Sequence, residues 1–156
     1  PATDKMSPPR YQEYKSDDIA TETIEGVGSI KVIAGKTANG TEGVIDNTFT
    51  SPIYWHVELT DSHSLIERLP TNHNAFIYVI KGEIKIGKKF TKVTAGQLAV
   101  LTLGEQLTIS NQAPASYLVI AGQPLQEPVF RNGPFVMNSK AEIYQAFADY
   151  QAGTLA

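Results

Sequence analysis

Few residues in this 156-residue chain could do chemistry: it has three histidines and no cysteine. His73 stands just ahead of an apolar run, in Leu69-Pro70-Thr71-Asn72-His73-Asn74. His56 and Glu58 alternate along Tyr54–Leu59, and on a strand both fall on one face, the x-His-x-Glu arrangement of a metal site or of a surface pair. His63 sits among turn residues in Asp61-Ser62-His63-Ser64. Whether the three converge depends on loop geometry that the sequence leaves open. A stable iron or zinc site takes three or four protein ligands, so His73 and His56 are weak metal candidates. The plainer reading of His73 is a hydrogen-bonded histidine at the rim of the fold. Without cysteine there is no disulfide framework and no thiolate zinc or iron–sulfur site. No serine lies in a recognisable nucleophile turn, so no catalytic residue is assigned.

The elements that must position these residues read as strands. Ala75–Ile80 is apolar, aromatic and β-branched, and Lys81-Gly82 breaks it. Glu83–Ile86 alternates polar with apolar, and Gly87 with two lysines closes it. Gln97–Leu103 is apolar again after the turn signal Thr94-Ala95-Gly96. Gly28–Ile33 and Tyr54–Leu59 alternate, with Trp55, Val57 and Leu59 opposite His56. Leu107–Ser110 and Tyr117–Ala121 add two more, the second continuously apolar, as a strand buried on both faces would be. At least seven strands therefore precede residue 122, too closely spaced for βαβ crossovers. The end differs: Ser139-Lys140-Ala141-Glu142 is a capping box, Ile143, Phe147 and Tyr150 follow at helical spacing, and Gly153 supplies a stop. The expected fold is all-β, a small antiparallel barrel or sandwich with one C-terminal helix. Its expected segments are a proline-rich arm over 1–15, the barrel over 16–137 and the helix over 138–153.

Composition narrows the partners. A net charge of −3 and no like-charge run longer than Lys88-Lys89 argue against a nucleic-acid groove or attraction to a membrane by net charge. No apolar run approaches the ~20 residues of a membrane span, and no signal pattern stands at the start; a cytoplasmic domain is the default expectation. The chain begins at Pro1 without methionine, so a natural start, a proteolytic product and an engineered boundary all stay open.

The central stretch, Leu69–Leu103, resembles the cupin barrel, which implies an antiparallel β-barrel of the jelly-roll kind. Laid on the cupin metal motifs, His73 falls on the first histidine position, while the second is Ala75, the glutamate is Val79 and the last histidine is Ala99. One of four ligands survives. In a cupin register His73, Ala75, Ile77 and Val79 point inward, and so do Ala99, Leu101 and Leu103. A barrel lined this way packs itself and gives a metal nothing. A free-standing sugar- or small-acid-binding cupin would need polar residues inside.

Three motifs are more specific. Lys5-Met6 with Pro9-x-Tyr11-Gln12, His73-Asn74-Ala75-Phe76-Ile77-Tyr78-Val79, and the tail Glu127-Pro128, Gly133-Pro134-Phe135-Val136-Met137-Asn138 and Ala146–Gly153 together look like the pirin family, over nearly the whole chain. Pirins are bicupins, and the resemblance implies that this chain is the C-terminal half. The family's iron-binding histidines and glutamate lie in the first barrel, so none maps onto a residue here, and any iron or other divalent metal belongs to the N-terminal half of the parent. Pirins with that site resemble quercetin 2,3-dioxygenases; others are regulators, a transcription co-factor in animals and a modulator of central metabolism in bacteria. The implied role is structural and regulatory, without catalysis by this half, and the rival is part of a metal-dependent dioxygenase. Expected partners are the N-terminal barrel or a second copy, and a regulatory protein, with neither nucleic acid nor membrane. The interface candidates are Phe76, Tyr78 and Ile80 on the outer face of the first central strand, and Ile143, Phe147 and Tyr150 on the tail helix.

Overall fold

The computed structural model describes residues 1–45 and 49–155. Its strands are β1 (Thr21–Ile24), β2 (Gly28–Ala34), β3 (Ile53–Leu59), β4 (Ser64–Arg68), β5 (Asn74–Lys81), β6 (Glu83–Ile86), β7 (Thr91–Thr94), β8 (Leu98–Val100), β9 (Gln106–Ser110), β10 (Ala115–Gly122), β11 (Phe130–Asn132) and β12 (Phe135–Met137), and its helix is α1 (Lys140–Ala152). The chain divides into two compact units, Glu13–Pro124 and Pro1–Gln12 with Leu125–Ala156.

The larger unit is the expected all-β, cupin-like fold. A six-stranded sheet runs β1-β2-β3-β10-β5-β8 and a four-stranded sheet runs β4-β9-β6-β7, with every named strand pair antiparallel. Alternation decides which side chains enter the core. Ile53, Trp55, Val57 and Leu59 of β3 are buried, as are Tyr117 and Val119 of β10 and Ala75, Ile77 and Val79 of β5. From the other sheet come Leu65, Ile84, Val93, Leu107 and Ile109. β10 is less enclosed than its composition suggests: Leu118 and Ile120, on its outer face, are half-buried. Gly28 opens β2 at φ 153°, where a Cβ would stand 2.0 Å from the Glu58 carbonyl oxygen; only glycine lets β2 approach β3 there.

Several expectations change in detail. The strand expected over Gln97–Leu103 is only Leu98–Val100, and Leu103 is 68% exposed rather than inward, because pairing with β5 ends at Phe76–Val100. Ala99 and Leu101 do pack against the core. β1, β4 and β7 are additional strands, which gives ten before residue 122 among the described residues.

In the smaller unit the Ala2 amide donates to both carboxylate oxygens of Glu127, at 3.0 and 2.9 Å, and β11 and β12 form a hairpin. α1 starts and stops where its sequence says. Ser139 Oγ accepts from the Glu142 amide at 3.2 Å, and the Glu142 carboxylate accepts from the Ser139 amide at 2.8 Å. Gly153 closes the helix at φ 71°. Phe147 meets Phe135 of β12 edge-on at 4.8 Å, so the hairpin covers part of the helix's apolar stripe.

Candidate functional site

The rim of the larger unit is built around His73. Pro70–His73 is a tight turn, its His73 amide donating to the Pro70 carbonyl at 3.1 Å, and the turn delivers the imidazole at the entrance to β5. The residue is 7% exposed. It lines both an open recess of about 940 Å³ and a smaller one of about 130 Å³ that Ala75, Leu101 and Leu107 also line. The wall of the larger recess carries two ion pairs, Lys36–Glu42 and Arg68–Glu105, each at 3.0 Å, both solvent-exposed and so weak. Burial lowers the His73 pKa by disfavouring the charged ring, and Nδ1 is buried without a hydrogen-bond partner. The partner expected for this histidine is therefore absent among the described residues.

The other histidines lie elsewhere. His56 Nε2 is 2.8 Å from Ser116 Oγ, on the outer face where β3 pairs β10. His63 precedes β4, its carbonyl accepting from the Asn111 amide. Among the described residues, no group of three or more histidine, aspartate or glutamate side chains is placed to hold a metal ion. The donor set at the cupin positions does not fit a divalent metal either: beside His73 stand Ala75, Val79 and Ala99, and Val79 is fully buried among apolar neighbours.

The core also holds polar groups that pattern reading misses. Glu22 of β1 and Glu67 of β4 both occupy buried positions. Glu22 accepts from the Thr37 hydroxyl, and from Asn39 Nδ2 at 2.6 Å; Glu67 accepts from the Ala38 amide at 3.1 Å. Two carboxylates thus fasten one loop, Gly35–Gly43, whose ends line the larger recess. Burial alone would raise the Glu22 pKa, but hydrogen bonds from Thr37, Asn39 and Thr41 together hold it below its usual value. Burial, with the Glu22 charge adding, keeps Glu67 above its usual value despite the amides of Ala38 and Arg68. Burial and the Glu67 charge push the Tyr117 phenol well above its ordinary range, and its hydroxyl, like Trp55 Nε1, is buried without a partner.

Because the folded-state pKa of Glu67 is raised, its contribution to stability is complete below the ordinary carboxylate pKa and is lost as pH rises through the raised value. Glu22, lowered, acts the opposite way: its contribution is present above the ordinary carboxylate pKa and lost as pH falls through the lowered value. Glu67→Gln is therefore expected to gain stability relative to the parent chain as pH rises from about 4 to about 8. Urea midpoints across that window measure this, and an advantage that grows toward acid would refute it.

Of the interface candidates, Phe76 is half-buried while Tyr78 and Ile80 are 38% and 48% exposed. They share one outer face with Leu98 and Val100, which pair with Tyr78 and Phe76. In α1, Ile143 is buried, Phe147 packs on Phe135, and Tyr150 is exposed.

The residue patterns and this geometry agree with what the chain is similar to. Residues 54–156 match the family model described as the pirin C-terminal cupin domain. A Vibrio cholerae protein provisionally named a quercetin 2,3-dioxygenase is 39% identical over 163 residues, covering 98% of this chain and 55% of that protein. Human pirin is 34% identical, covering 96% of this chain and 52% of its own length. The crystal structure of a quercetin 2,3-dioxygenase from Acinetobacter baumannii superposes with a TM-score of 0.88 at 30% identity, over 100% of this chain and 54% of that one. The chain thus spans about half the length of the curated relatives it matches.

Proposed function

This chain belongs to the pirin family as its C-terminal cupin domain, and from that premise we propose that it is a structural and partner-engaging barrel that performs no catalysis of its own. The observation that carries the reading is the donor set: a single histidine stands where a cupin metal site needs three or four ligands, and Ala75, Val79 and Ala99 fill the remaining positions. The outer face of β5 and β8, with Tyr78, Ile80, Leu98 and Val100 exposed, suits burial against another barrel, since a sheet face this apolar is ordinarily covered. The partner on this reading is the N-terminal barrel of the parent protein, in the cytoplasm, with any catalytic metal held there.

A second reading takes its support from the relatives named as quercetin 2,3-dioxygenases: the parent is a metal-dependent dioxygenase and this half completes its structure. One experiment separates the two and tests the premise of both. The purified chain is incubated with iron, nickel, copper or zinc, desalted, and assayed for bound metal and for loss of quercetin; the full-length parent is assayed beside it. The chain alone is expected to retain no stoichiometric metal and to consume no quercetin above a metal-only blank, with His73→Ala changing neither result. Stoichiometric metal that disappears in His73→Ala would overturn the proposal. Turnover by the full-length protein alone would favour the dioxygenase reading of the parent.

A further inference from the structure

Charge in this molecule is segregated in a way its total conceals. Residues 81–92 carry five lysines and one glutamate, which gives this stretch +4 and leaves −7 on the remainder of a chain whose total is −3. The stretch is the β6–β7 hairpin with its approach. Ile84 and Val93 face the core, whereas Lys85 and Lys92 stand directly opposite each other on the outward face. Like charges in that position destabilise a ladder. Lys92 reaches Glu83 at 2.6 Å; among the described residues the other four lysines have no ion-pair partner. At the tip, Lys88 and Lys89 are exposed and lead to Phe90, which is 64% exposed and adopts φ 51°, a left-handed conformation unfavourable for a bulky side chain. Three local penalties therefore meet on one hairpin: opposed lysines, an aromatic ring in water and a strained backbone. None of them serves the core. Such features concentrate where strain has a function.

We propose that the β6–β7 hairpin tip is a docking site for an acidic polypeptide segment that carries an apolar side chain to cover Phe90. The lysines supply charge complementarity and steering, and Phe90 supplies the apolar anchor. This surface lies on the four-stranded sheet, distinct from the β5–β8 face, and does not depend on the metal reading. An acidic segment fits better than the two other anionic classes. A bilayer presents a broad negative plane that repels the −7 remainder, whereas a chain segment touches the tip alone. The hairpin has no arginine, the side chain suited to bidentate phosphate contacts, and a tip of four residues spans only about 13 Å, too little to follow a nucleic-acid backbone.

The test uses a fluorescein-labelled peptide in which glutamates surround a central leucine, with poly-glutamate of equal charge beside it, followed by anisotropy at low and high salt. The leucine peptide is expected to bind more tightly than poly-glutamate and to weaken with salt. Lys88→Glu with Lys89→Glu is expected to weaken it about tenfold or more, Phe90→Asn to abolish its advantage over poly-glutamate, and Lys31→Glu on β2 of the six-stranded sheet to leave it unchanged. Phe90→Asn and Lys85→Thr are each expected to raise the melting temperature, by roughly 1–4 °C, because each removes a penalty. A purely structural hairpin predicts loss of stability from the same changes. The proposal is overturned by no peptide binding at low salt, by binding indifferent to residues 88–90, by a fall in melting temperature in both single variants, or by equal or tighter binding to phosphatidylserine vesicles or duplex DNA through these lysines.

Discussion

Trp55→Ala is expected to lower stability by about 3–5 kcal/mol, which is roughly 6–20 °C in melting temperature for a chain of this size. Trp55 is fully buried on β3, with Val32 of β2 and Val119 of β10 as its cross-strand partners. Truncation would open a cavity in the middle of the six-stranded sheet, where hydrogen-bonded neighbours on both sides resist collapse. The indole N–H tempers this loss, since it is buried without a partner and an unsatisfied donor costs about 1–3 kcal/mol. Trp55→Phe removes that donor while keeping most of the apolar volume, so it should cost far less than the alanine change. Urea denaturation followed by circular dichroism gives both values. Equal losses for the two variants would mean that the indole N–H is satisfied or that the site collapses freely.

Val79→Glu is the second large effect, and it bears on function. Val79 occupies the glutamate position of the cupin metal motif and is fully buried between Gly96, whose amide donates to its carbonyl at 2.8 Å, and Tyr117, its partner on β10. A carboxyl placed there has only one histidine on its strand face, His73, and an interior of isoleucine, valine and alanine. The expected loss is about 3 kcal/mol or more, the cost of burying an unpaired charge or the proton uptake that avoids it. Added zinc or iron should not restore the midpoint, because two ligands cannot close a site. Rescue by either metal would show that the inward face holds donors beyond those described, and the donor-set argument would fail with it.

The strands that were legible in the sequence are those whose inward residues are apolar. β3, β5 and β10 show their alternation or apolar run directly, and α1 is written out by its capping box and glycine stop. β1 and β4 were not legible for a common reason: Glu22 and Glu67 stand at inward positions, so a reading that sends carboxylates to solvent sees no strand face. Their satisfaction comes from Thr37, Ala38 and Asn39, a loop 15 to 29 residues away, and no local pattern carries that information. β7 is four residues with a single buried side chain, Val93, below what periodicity can register. Leu103 misled in the opposite direction, since an apolar side chain continues the run after pairing has stopped. As for the site, the sequence puts His73 just ahead of β5, but the recess beside it depends on where Lys36 of the Gly35–Gly43 loop and Arg68 of β4 arrive, and no local pattern carries that.

One unit contains both the first residues of the chain and the last, with Ala2 tied to Glu127 and the whole 13–124 stretch looped out between them. Tension applied across the two ends of this chain therefore does not load the sheets directly. It first loads the contacts joining arm to tail, the Ala2–Glu127 hydrogen bonds among them, and only after these part does force reach β1 and β10. The larger unit is mechanically in parallel with this clasp, so under load the clasp opens first, as a fuse.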